Sequence, residues 1–441
     1  MKRLLSLLLC AVLALFCATT AQAAGVSITL TASEYALHYA FDAGEKDPFV
    51  ILEYATPAEK GWMMLYSEDG HFEGDVSLAY SGAGGKTSVT LTSARTTGSI
   101  GKTSTTLPKA ADYQKPTGKS NAKVTDFVLT ETPEGFHYAF NAIGTDYMLL
   151  YWRSKEQTVT QPVYPDENGH YEGDVISDLT FARTQFTVQV KSGSGSMKKE
   201  ATVRKGYQAP EAPQRQEGRL SGVTVCIDAG HQENGRFVNE PIGPGLSGST
   251  SGKGGMAQGT KTNRRESIVC LEVAMLLRDE LLRQGANVIM TREDQTTFHT
   301  NIERCEIAEA GGAQIMLRLH CNNSSNHSKR GIQVYGPLNS DYAKAVADAD
   351  TYREMGQKLL DAMKTRVGMT LANSTGMVRL NDNYVGNNWA KMMCFLVEMG
   401  YLSNPAEEYL LVTPVYQQWL AEGMADGVYE IAVARGWVQA Q

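Results

Sequence analysis

Cysteine is absent from residues 24–218 of this 441-residue chain. The seven cysteines are Cys10 and Cys17 near the start and Cys226, Cys270, Cys305, Cys321 and Cys394 in the second half. An odd, clustered set of five does not make a disulfide framework, and buried free thiols are the expected state. Long apolar runs are absent after Phe16, which excludes a transmembrane helix from the rest of the chain. Net positive charge is absent too. At -7 the chain is a poor partner for nucleic acid, and any hold on an anionic polymer must come from specific grooves.

What is present begins with a targeting pattern. Met1-Lys2-Arg3 is basic, Leu4 to Phe16 is apolar, and Ala21-Gln22-Ala23 has the small-x-small form of a cleavage site. Residues 1–23 are expected to be a secretory signal peptide, giving a secreted, extracytoplasmic product. Losing Lys2 and Arg3 takes the net charge from -7 to -9. Bulky Phe16 before Cys17 argues against lipid attachment there.

The length fits about three domains. Two are copies of one module. His38-Tyr39-Ala40-Phe41 recurs as His137-Tyr138-Ala139-Phe140, and Gly70-His71-Phe72-Glu73-Gly74-Asp75-Val76 recurs as Gly169-His170-Tyr171-Glu172-Gly173-Asp174-Val175, both 99 residues on. Short alternating runs such as Val26 to Leu30 and Phe186 to Val190 mark strands. Residues 25–115 and 122–208 are therefore expected to be small β-sandwich-like modules, broadly immunoglobulin-like. The paired histidines follow from the shared architecture. Residues 209–218, with Pro210 and Pro213, read as a stiff linker holding domains apart.

From Arg219 to about residue 437 the pattern alternates strand and helix. Strands are expected at 223–227, 288–290, 315–319 and 394–397, and helices at 266–283, 301–310, 342–367 and 415–434, with Gly285 stopping the first. This predicts an α/β domain with a largely parallel sheet. Sites in such sheets form beyond the carboxyl ends of the strands. His231 follows the first strand by a short turn, His320 and Glu398 end two others, and Glu266 opens the first helix. Two histidines and a carboxylate make a common catalytic zinc set, and a further carboxylate can serve as general base.

The same residues carry a family resemblance. VCIDAGH at 225–231, the helix ESIVCLEVAMLLRDELL from Glu266, VIMTRED at 288–294, IMLRLHCNN at 315–323 and FLVEMGYLSNPAEE at 395–408 resemble, in order, segments of the zinc-dependent N-acetylmuramoyl-L-alanine amidases. The resemblance covers about residues 222–436. It implies one Zn2+ held by His231, Glu266 and His320, with Glu398 as the catalytic base. It also implies peptidoglycan as substrate, cut between N-acetylmuramic acid and L-alanine. The N-terminal repeats would then bind or position the cell wall. Cys321 and Cys270 depart from the family pattern without touching a ligand position.

Arg318, two residues before His320, is expected either to contact a substrate carboxylate or to form a structural ion pair. Glu272 is the rival to Glu266, and His299 and His327 read as loop residues. Two other functions fit the residues: a zinc peptidase acting on peptide stems, and a wall-binding protein with an idle catalytic domain.

Overall fold

The computed structural model describes residues 18–440 apart from 23–25, 33–35, 45–47, 58–59, 79–83, 95–97, 110–117, 133–134, 155–157, 177–183, 207–208, 233–237, 251–254 and 368–376. Of the expected leader, only 18–22 are described. No helix among the described residues is long and apolar enough to cross a membrane. The chain folds as two compact units, Met1–Lys115 and Pro116–Gln441.

The first unit is all antiparallel strands: β1 (Ala18–Gln22), β2 (Ser27–Ala32), β3 (Ala36–Asp42), β4 (Phe49–Ala55), β5 (Lys60–Tyr66), β6 (His71–Ser77), β7 (Gly85–Ser93) and β8 (Ser99–Leu107). They form two sheets, β1-β2-β3-β6 and β5-β4-β7-β8. Alternation along β2 and β3 points Ile28, Leu30, Tyr39 and Phe41 inward to meet Val50, Leu52, Val89 and Leu91 of the other sheet. The second unit opens with β9 (Lys123–Thr132), β10 (Gly135–Ile143), β11 (Met148–Arg153), β12 (Thr158–Val163), β13 (His170–Ile176), β14 (Thr184–Ser192) and β15 (Met197–Lys205). Their sheets, β13-β10-β9 and β12-β11-β14-β15, repeat the order of the first unit, with no counterpart of β1 among the described residues.

The repeated residues have equivalent jobs. Phe41 stacks on Phe72 at 4.9 Å, and Phe140 stacks on Tyr171 at 4.6 Å. The glycine of each Glu-Gly-Asp lies under a tyrosine. A Cβ on Gly74 would come within 2.7 Å of the Tyr39 hydroxyl, and one on Gly173 within 2.7 Å of the Tyr138 hydroxyl. Close approach, rather than an unusual turn, explains glycine in this tripeptide.

The linker does not stand clear of the domain that follows. Arg278 donates to the Pro210 carbonyl at 3.1 Å, Arg215 to the Gly285 carbonyl at 2.9 Å, and the Gln216 amide to the Leu282 carbonyl at 3.0 Å. Proline stiffens the segment, but its carbonyls remain free to accept, and it lies along the first helix of the α/β domain.

That domain contains β16 (Thr224–Ala229), α1 (Glu266–Arg283), β17 (Asn287–Met290), α2 (Asn301–Ala310), β18 (Ile315–Asn322), β19 (Gln333–Gly336), α3 (Asp341–Val346), α4 (Ala349–Val367), β20 (Met377–Leu380), α5 (Val385–Trp389), β21 (Met393–Tyr401), α6 (Pro405–Leu411) and α7 (Pro414–Ala434). The sheet order is β17-β16-β18-β21-β19-β20. Four of its five strand pairs are parallel, but β19 runs antiparallel to β21, so the expected parallel sheet is met in part and the sheet is mixed. Residues 323–332 link β18 to β19 without a helix, and so short a link cannot make a parallel crossover.

The helix expected over 342–367 is two helices. Ala347 turns extended between α3 and α4, and the Asp348 carboxylate caps α4 by accepting from the Thr351 amide at 2.8 Å. Strands β18 and β21 run past His320 and Glu398 instead of ending at them, and these two residues lie side by side in register.

Candidate metal centre and its carboxylate neighbour

Strand β16 delivers its C-terminus into a tight turn. Gly230 has no room for a side chain: a Cβ would sit 2.4 Å from the Leu319 carbonyl and 2.6 Å from the His320 ring. His231 then adopts φ +57, a left-handed conformation uncommon for a residue with a side chain. Two buried arginines clamp this turn. Arg292 donates to the carbonyls of Ala229, Gly230 and Ser267, each at 2.8 Å. Arg304 donates to the carbonyls of Ala229 at 2.9 Å and His231 at 3.2 Å.

The turn aims His231 at the N-terminus of α1. Its Nε2 lies 3.0 Å from Glu266 Oε1, and His320 Nδ1 lies 3.0 Å from the same oxygen. The two imidazoles meet edge to face, 4.8 Å between centroids. One donor atom from each of His231, Glu266 and His320 falls within 4.8 Å of the others, the one such group among the described residues able to hold a metal ion. Glu266 is buried. Its carboxylate is held well below the usual range by the two histidines, which outweigh the opposing effect of burial. Its Oε2 accepts from the Ala257 amide at 2.8 Å and its Oε1 from the Cys321 amide at 3.0 Å. His320 Nε2 is buried without a hydrogen-bond partner.

Glu398 stands beside this group on β21. Its Oε2 is buried without a hydrogen-bond partner. Burial first, and then the charge of Glu266, push its carboxyl well above the ordinary value. Gln333 is its neighbour in register on β19, and Tyr335, two residues on, shares that face.

Arg318 is placed elsewhere. It is buried, donates from Nε to Asp228 Oδ2 at 2.9 Å and from a terminal nitrogen to Asn301 Oδ1 at 2.7 Å, and packs against Gly386. Of its two expected roles, the ion pair is the one the structure holds. A substrate carboxylate cannot reach a guanidinium enclosed in this way. Glu272 faces Arg264 and Gln417, away from His231. His327 contacts the Ser403 carbonyl at 2.7 Å. In the repeats, His38 faces Glu73 and Asp75, and His137 faces Glu172 and Asp174. These are exposed cross-strand pairs of the kind worth little to stability.

All five described cysteines are free and buried. The Cys321 thiol meets Cys270 of α1, and burial pushes both thiols up. The described part of the segment between His231 and α1 is docked. Glu240 accepts from Asn301 at 2.7 Å and the Ile302 amide at 2.8 Å, and Trp389 donates to the Pro241 carbonyl at 2.9 Å.

Sequence reasoning missed Arg292, Arg304 and Glu407. Glu407 of α6 is buried and accepts from the amides of Tyr401 and Gly331, each at 2.8 Å, which pins the end of β21 to the start of β19. Burial raises its carboxyl to about 7 against those bonds and the Arg330 charge. A carboxyl raised on folding stabilises the fold below its unfolded value. That contribution is lost as pH rises through about 7. The loss is up to about 3 kcal/mol. Urea unfolding at pH 5 and pH 8 should show the wild type losing more stability than Glu407→Gln by about that amount; equal losses would remove Glu407 as the cause.

Two parallel strands and the start of α1 bring two histidines and a glutamate to one point, with a second carboxylate alongside, an arrangement that could hold a metal ion. Residues 225–430 match the model of the Amidase_3 family, described as N-acetylmuramoyl-L-alanine amidase. The germination-specific N-acetylmuramoyl-L-alanine amidase of Bacillus subtilis is 27% identical over 231 residues, 49% of this chain and 83% of that protein. The probable cell wall amidase LytH of Staphylococcus aureus is 27% identical over 218 residues, 48% of this chain; the match spans only 60% of that relative's length. Among solved structures, an N-acetylmuramoyl-L-alanine amidase from Clostridium difficile 630 is 23% identical over 48% of this chain and 96% of its own, with a TM-score of 0.38.

Proposed function

We propose that the chain is a secreted, zinc-dependent amidase that cleaves the bond between N-acetylmuramic acid and L-alanine in peptidoglycan. Residues 219–437 would form the catalytic domain, and the two modules over 25–115 and 122–208 would bind or position the wall. The observation that carries this reading is the convergence of His231, Glu266 and His320, with Glu398 beside them, in a family of amidases.

The donor set suits zinc: two imidazoles and one carboxylate, with a buried imidazole nitrogen left unsatisfied. When bound there, Zn2+ supplies Lewis-acid polarisation of the amide carbonyl and lowers the pKa of water. The rest belongs to the chain. Glu398, free of hydrogen bonds at Oε2, takes the proton of the attacking water and passes it to the departing alanine nitrogen. The Ala257 and Cys321 amides hold the Glu266 carboxylate, and Arg292 and Arg304 hold the turn that carries His231.

Mass spectrometry of digested peptidoglycan tests the bond assignment. Stem peptides with a free N-terminal L-alanine and intact glycan are expected. New termini inside the stem would instead identify a peptidase. Zymography on purified walls with a chelator is expected to abolish lysis, and added Zn2+ to restore it; lysis indifferent to the chelator would sink the metal mechanism.

A further inference from the structure

Glu408 follows Glu407 on α6 and is fully buried. Its Oε2 accepts from the Thr260 amide at 2.8 Å and the Thr260 hydroxyl at 3.1 Å. Its Oε1 accepts from the Lys261 amide at 2.7 Å and from the Thr262 amide. Three successive backbone amides thus cup one carboxylate, the arrangement that gathers partial positive charge around an anion. The fit is tight: a Cβ on Gly259 would lie 2.5 Å from Glu408 Oε1.

These amides are the tip of a small hairpin. Gln258 and Arg265 form its antiparallel bridge, the Gly259 amide donates to the Arg264 carbonyl at 2.9 Å, and the Glu266 amide to the Ala257 carbonyl at 2.9 Å. At the open end the Ala257 amide donates back to Glu266 Oε2. Glu266 Oε1 is the oxygen that faces both histidines. The side chain of Glu266 is therefore oriented by an amide whose position depends on a hairpin that Glu408 clasps at its far end.

We propose that Glu408 is a positioning residue for the Glu266 carboxylate, acting through the hairpin 257–266, and that it raises the affinity of the centre for zinc; this rests on the zinc reading above. Groups that orient a metal ligand from behind typically change metal affinity 10–100-fold when lost. A purely structural clasp would change the melting temperature and leave affinity alone.

The experiment is zinc titration of the full metal-free chain against a competing chelator, for wild type, His231→Ala and Glu408→Gln. Gln keeps the volume but turns an amide group toward the amides of residues 260–262. The wild type is expected to bind one zinc, lost in His231→Ala. Folded Glu408→Gln should bind zinc about 10–100-fold more weakly. Wild-type affinity in that variant overturns the proposal, whereas a wild type that binds no zinc overturns the metal reading instead.

Amide hydrogen exchange on the unaltered chain gives an answer even if the variant does not fold. Coupling between two sites is reciprocal. Zinc should therefore slow exchange at Thr260, Lys261 and Thr262 as well as at Ala257. Slowing at Ala257 with the three tip amides unchanged would overturn the proposal.

Discussion

Glu398→Gln is expected to abolish wall lysis while leaving the metal in place. Loss of a general base costs about 10²–10⁴ in rate. Glu398 lies outside the His231, Glu266 and His320 donor group, so zinc content should stay at that of the wild type. The same substitution should leave the stability of the metal-free protein close to that of the wild type. Glu398 Oε2 is buried without a hydrogen bond, and both burial and the Glu266 charge work against its ionised form. Gln places a neutral polar group of the same size in the same pocket, so little is gained or lost in the fold. A residue kept for stability would behave in the opposite way, since its loss would lower the melting temperature and leave the rate constant of folded molecules intact. Measuring zinc content, lysis and thermal unfolding on one preparation separates these cases. Undiminished lysis would remove Glu398 from the chemistry.

The centre was legible in the sequence because its residues break local rules. His320 and Glu398 are polar positions in largely apolar strands, and burial without a partner is costly enough that such positions call for a reason. Glu266 was visible as the first residue of a long helical pattern, and the structure starts α1 there. Arg318 was harder. Strand alternation puts it on the His320 face, but nothing local shows that Asp228, its register partner on β16, waits opposite. The partners of Glu408 lie 146–148 residues away, so its role has no local signature. Strands β19 and β20, four residues each, are too short for a period to emerge. The break between α3 and α4 hides in an alanine-rich run, because only the geometry reveals Asp348 as a cap instead of a helical residue. The one antiparallel pairing of the sheet comes from β19, so it leaves no trace in the strand pattern of the sequence.

Asp228→Asn is expected to be among the most destabilising single changes in the domain. Asp228 is fully buried, accepts from Arg304, from Arg318 at 2.9 Å and from Thr291 at 2.8 Å, and its carboxyl is held far below the ordinary range by the two guanidinium groups, against burial. A depressed carboxyl stabilises the fold above its unfolded value and loses that contribution only as pH falls below it. Between pH 5 and 8 the pairing is thus at full strength. Breaking a buried pair by removing one partner costs about 3–5 kcal/mol. In a domain of this size that lowers Tm by roughly 10 °C. The cost reaches the centre as well, because Arg304 also holds the carbonyls of Ala229 and His231. Zinc affinity should fall along with stability. Asp228→Leu combined with Arg318→Leu separates the two effects. It removes one whole pair but leaves Arg304 with its carbonyl bonds and without its carboxylate. If Arg304 alone seats the turn, this double variant keeps near-wild-type zinc affinity in its folded fraction; if Asp228 must orient Arg304, affinity falls as it does in Asp228→Asn. Unfolding curves with Tm unchanged in Asp228→Asn would show that the buried network contributes nothing to the fold.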